Sequence, residues 1–154
     1  MTDIPIRLER HEFVHAATLG VLRQVDNVLK GRSDQHGADE KDAWGLHVRG
    51  ACGELAVAKA LNRFWSGALG NLRAADVGPY QVRHTLRQTN PLRLHHTDQG
   101  VFILVTGDPP NLCVRGWLEA CEGKHERFWG DPTGLDRPAF FVPQHLLRPM
   151  EDLP

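Results

Sequence analysis

Residues 101–106 read VFILVT, an apolar and β-branched run with TDQG before it and GDPPN after it. A stretch this short, this apolar and so bounded by turn residues is a β-strand. Leu112–Leu118 (LCVRGWL) follows and reads as its hairpin partner, while Gln81–Thr85, Leu92–His95 and Ala139–Val142 (AFFV) read as further strands. Before residue 72 the texture differs. Val14, Thr18, Val21, Val25 and Val28 recur at three- and four-residue spacing, which predicts a helix from Arg10 to Lys30 stopped by Gly31. The alanine-rich GACGELAVAKALNRFW predicts a second helix from Ala43 to Phe64, and the polar GRSDQHGADEKD between the two reads as a mobile loop. QHLLRPM reads as a short closing turn of helix. Helices first and strands afterwards predict an α/β fold, a mixed, mostly antiparallel central sheet flanked by helices, in one domain over 1–154.

Bulk properties exclude several classes. The formal net charge is −1, so no global basic field draws in polyanions, and a nucleic-acid site has to be a local patch. No apolar run approaches the roughly 18 residues that cross a bilayer, and MTDIPIRLERHEF lacks the apolar centre of a signal peptide, so no membrane association is expected. Cys52, Cys113 and Cys121 are scattered and odd in number, which fits reduced thiols in a cytoplasmic setting. There is no CxxC spacing for zinc, no GK[ST] phosphate loop and no GxSxG elbow. Trp117 and Trp129 are expected to pack against the sheet.

The anomaly is Glu54. At about 100° per residue it falls within the stripe of Val57, Ala58, Leu61 and Trp65, with His47, Gly50 and Ala51 on the same side. A carboxylate on a core-facing stripe is costly unless paired, hydrogen-bonded or bound to a metal. One resolution is an arginine partner or an escape to the edge of the helix. The other involves DVGPYQVRHT at 76–85. There Gln81, Arg83 and Thr85 point to one side of a strand, and Asp76 can return to that side across the Gly-Pro turn. Two carboxylates, a carbonyl-bearing side chain and a cation converging would form a hard-ion site suited to Mg²⁺ or Mn²⁺. Nearby, Arg83, His84, Arg87, Arg93, His95 and His96 concentrate positive charge, and Trp44, Trp65 and Tyr80 offer rings to bases; a solvated, ion-paired hairpin is the alternative.

In this order, GELAVAKALNRFW, DVGPYQVRHT, VFILVTG and VRGWLEA resemble the restriction-endonuclease-like PD-(D/E)XK nucleases, as found in small phage and bacterial members, over residues 43–150. The resemblance implies a divalent-metal-dependent endonuclease acting on DNA, often as a homodimer. It places Glu54 as the helical acid, Asp76 as the metal-bridging aspartate, Gln81 at the second acid and Arg83 at the lysine. Metal ligands would be Asp76, Gln81 and Glu54, with Arg83, His84, Arg87 and Arg93 toward nucleic acid. The two departures matter chemically. Gln81 brings a carbonyl oxygen without charge, and Arg83 holds a phosphate but does not act as a base. The alternative is a catalytically inactive relative that binds nucleic acid or protein. Lys59 faces elsewhere on its helix, and Lys124 is placed to reach the sheet edge.

Overall fold

A computed structural model describes residues 3–32, 42–69 and 74–154. The polar segment read as a loop falls mostly at 33–41, outside the described residues. The chain opens with strand β1 (Ile4–Arg7) and helix α1 (Arg10–Leu29), followed by α2 (Ala43–Ala60). Then come β2 (Gln81–Thr85), β3 (Leu92–Leu94), β4 (Val101–Asp108), β5 (Asn111–Glu119), a turn of helix α3 (Ala120–Gly123), β6 (Trp129–Gly130) and β7 (Ala139–Val142). Two short 3₁₀ turns, Gln144–Leu146 and Met150–Asp152, close the chain.

A four-stranded sheet runs in the order β1-β5-β4-β2, and a three-stranded one in the order β3-β7-β6. Among the described residues, only β2 and β4 pair in parallel; the other strand pairs are antiparallel. The fold is thus α/β with mixed, mostly antiparallel sheets, two of them rather than one.

β4 explains the layering. Ile103 and Val105 join a cluster with Ala51, Val57 and Val82 under the helices. Phe102 and Leu104 join a second with Leu92, Leu94, Phe140 and Val142 from the smaller sheet. Alternate side chains point to opposite faces, so the large sheet lies between helices and small sheet. That is why VFILVT has no polar face. One bulge keeps β5 in step: the ladder passes from Leu104–Gly116 to Val105–Val114, leaving Arg115 out. Val114 and Trp117 therefore both face the helices.

α1 and α2 meet closely. Ala16, Gly20 and Gln24 form the buried line of α1, and a methyl on Gly20 would lie 2.5 Å from the Cα of Val48. The valines that reveal the α1 helix are on its other side, exposed. α2 ends at Ala60, four residues earlier than the apolar pattern predicts, because Asn62 turns left-handed at φ 50. β3 stops at Leu94, where the His95 N–H turns to Asp98 Oδ2 at 2.8 Å. Trp117 is buried and donates from Nε1 to Pro149 O at 3.0 Å. Trp129 packs on His96 and Phe140 yet stays 41% exposed.

Candidate functional site: an acidic corner and a basic edge

Glu54 sits mid-helix at 7% exposure. Its carboxylate is gripped by Arg23 of α1 in a two-pronged pair, Nη1 to Oε1 at 2.5 Å and Nη2 to Oε2 at 2.9 Å. Trp65 adds an indole N–H to Oε2 at 3.1 Å, and Arg23 Nη2 also reaches Ala68 O at 3.3 Å. This is the arginine partner that a buried carboxylate requires. Asp76 shares the corner. Its Oδ2 accepts the N–H of Val82 at 2.8 Å, closing the turn into β2. Burial first, and then the charge of Glu54, push the Asp76 carboxyl up to about 6, against the pull of the Val82 N–H, Arg23 and Arg83. The two acids are therefore close enough to repel.

The remaining predicted ligands turn away. Val82 packs under the helices, and the Cβ of His84 lies 3.1 Å from where a methyl on Gly53 would stand. Gln81 and Arg83, on the alternate side of β2, lie opposite Phe102 and Leu104 and face the small sheet. Arg83 Nη2 contacts both Asp98 oxygens at 3.0 Å and its guanidinium lies 4.9 Å from the centre of the Phe102 ring. His84 is tied to Gly107 O at 2.7 Å, and burial lowers its affinity for a proton. Arg87 is exposed. Tyr80 is 3% exposed, and its hydroxyl donates to Pro154 O, so it does not offer a ring to solvent; Trp44, at 48%, does. Lys59 donates to Arg7 O and Glu12, and Lys124 to His96 O and Asp98 O.

Both Glu54 oxygens already accept bonds, Gln81 is on the other face, and among the described residues no group of three His, Cys, Asp or Glu side chains is placed to hold a metal. Three partners escaped the sequence: Arg23, Asp98 and Arg137. Arg23 left one signal, since it adjoins the Ala16–Gly20–Gln24 line that packs on α2.

The basic edge is built differently. Arg93 projects from the outer side of the small sheet, because its neighbours Leu92 and Leu94 point into the core. Its guanidinium lies 5.9 Å from the centre of the Phe141 ring, and its Nη2 approaches Arg137 O at 3.5 Å. Its Nε is buried with no acceptor among the described residues. Burial first, then the charges of Arg137 and Arg83, lower the Arg93 pKa, with Asp131 opposing. Neither Arg93 nor Arg137 makes an ion pair among the described residues. An open groove of about 670 Å³ adjoins through Phe141, with Gln88, Arg115, Gln144 and His145 on its walls.

Cys52, Cys113 and Cys121 are free thiols, the first buried, with burial pushing its pKa up to about 12. No helix among the described residues is long and apolar enough to cross a membrane. No family model, curated protein or solved structure matches the chain.

Proposed function

We propose that the chain is a hydrolytically silent relative of the PD-(D/E)XK nucleases that binds DNA through phosphate contacts from Arg93 and Arg137. The observation that carries this reading is the Nε of Arg93, buried with no acceptor among the described residues and beside the like charges of Arg137 and Arg83, which outweigh that of Asp131. Such a site is short of an anion. A phosphate oxygen supplies both the missing acceptor and the missing negative charge, and the planar guanidinium suits it. The adjoining groove gives a nucleic-acid strand room, and the slight net negative charge confines the attraction to this edge. Silence follows from the engaged partners: Arg23 occupies Glu54 and Asp98 occupies Arg83.

The second reading is a Mg²⁺- or Mn²⁺-dependent DNA endonuclease. Glu54 and Asp76 sharing one corner favours it, since after burial it is the charge of Glu54 that raises the proton affinity of Asp76.

One experiment separates them. Fluorescence anisotropy follows a labelled duplex and a labelled single strand in low salt, with EDTA or Mn²⁺, while a supercoiled plasmid is incubated in parallel. Binding that persists in EDTA, falls at least tenfold in Arg93→Met/Arg137→Gln, and leaves the plasmid intact supports the silent reading. Mn²⁺-dependent nicking that disappears in Asp76→Ala supports the endonuclease. Absence of binding to either strand form overturns the first.

A further inference from the structure

Among the described residues, the outer face of α1 has no partner. Val14 is 53% exposed, Val21 41%, Leu22 46%, Val25 38%, Val28 59% and Leu29 81%. With Thr18, also exposed, the seam 14–18–21–25–28 alternates four- and three-residue steps, the spacing by which one helix packs along another. The opposite line, Ala16–Gly20–Gln24, is already spent on α2. The only ionisable side chain on the exposed face between Val14 and Leu29 is His15. The six aliphatic side chains leave on the order of 500 Å² in water, comparable with the largest patch on an ordinary monomer.

We infer that this face binds a second copy of the chain as an antiparallel helix pair centred on Val21. The argument for self-association is the pattern's symmetry. A two-fold contact requires a strip complementary to itself. Val14 and Val28 stand seven residues on either side of Val21, so antiparallel pairing sets Val14 on Val28 of the partner subunit and Val21 on Val21 of the partner subunit. Thr18 falls beside Val25 of the partner subunit. With their rims, two such faces approach the roughly 800 Å² per partner of a specific interface. The inference is independent of DNA binding, because it uses a different element and is tested without nucleic acid.

Sedimentation equilibrium over a range of concentrations measures the mass. The expected result is a concentration-dependent shift to twice the chain mass, abolished by Val21→Glu, which sets two carboxylates face to face while circular dichroism stays unchanged. Orientation is read in a Cys121→Ser background, since Cys121 is the exposed thiol. Mixed Val14→Cys and Val28→Cys chains should cross-link to each other under a mild oxidant more readily than either does to itself. A monomer at every concentration, an undiminished dimer in Val21→Glu, or preferential Val14→Cys self-cross-linking overturns the inference.

Discussion

The helix layer and the small sheet, which flank the large sheet on opposite sides, treat charge in opposite ways. On the helix side, the buried Glu54 has a two-pronged arginine and an indole N–H, and both oxygens are used. On the outer side of the small sheet, Arg93 keeps a buried donor with no acceptor among the described residues, beside the like charges of Arg137 and Arg83 and with Asp131 opposing them. A charge that is fully partnered from within the fold is a structural element. A charge left short of a partner carries a cost that binding can relieve. The acid was the louder signal in the sequence, yet the arginine is the more open invitation.

The largest test of that contrast is Arg23→Ala. Removing the guanidinium strands a buried carboxylate, and unfolding measurements in denaturant should show a loss of about 3–5 kcal/mol. A loss under about 1 kcal/mol would mean that Glu54 is not held as described.

Next is the acidic pair and pH. Because the folded Asp76 carboxyl is raised to about 6 from 3.8, the folded state holds the proton more tightly than the unfolded chain. Its stabilising contribution is full below about pH 4 and is lost as pH rises through 6, a swing on the order of 3 kcal/mol. Asp76→Asn should flatten this swing and raise stability at pH 8. NMR titration adds a sharper version: Glu54→Gln should lower the Asp76 pKa, since the Glu54 charge helps to raise it. An unmoved midpoint would separate the two acids.

The smallest stability effect belongs to Arg93→Met. It keeps a long stem over Phe141 and removes an unsatisfied donor, so stability should stay within about 0.5 kcal/mol or rise. A loss of several kcal/mol would make Arg93 another structural charge and erase the contrast.

Much of the fold is legible in the sequence. β2 and β7 begin and end at the residues read as strands from the sequence, and VFILVT pairs with LCVRGWL as expected. β1 is hidden by its proline, tolerated because the strand lies at the sheet edge, and β6 has only two residues. The separate small sheet is hidden for another reason: β3 pairs with β7, and nothing local to LRL or AFFV records a partner so distant in sequence. Helical period likewise announces α1 without saying which side is buried; the small residues facing Val48 decide that.

The site divides in the same way. Glu54 stands out by periodicity, and Trp65, placed on its stripe, does reach it. Alternation on β2 places Gln81 and Arg83 together, but which way that side faces depends on parallel pairing with β4. Arg23 and Asp98 are set by helix crossing and loop course, which no motif encodes.

The most direct test of the account is the salt dependence of DNA binding by the parent chain and by Arg93→Met. If Arg93 holds a phosphate, the variant binds every sequence more weakly, and the slope of log K against log salt falls by about 1. Identical affinity and identical slope in the two proteins would contradict the assignment of the basic edge to DNA.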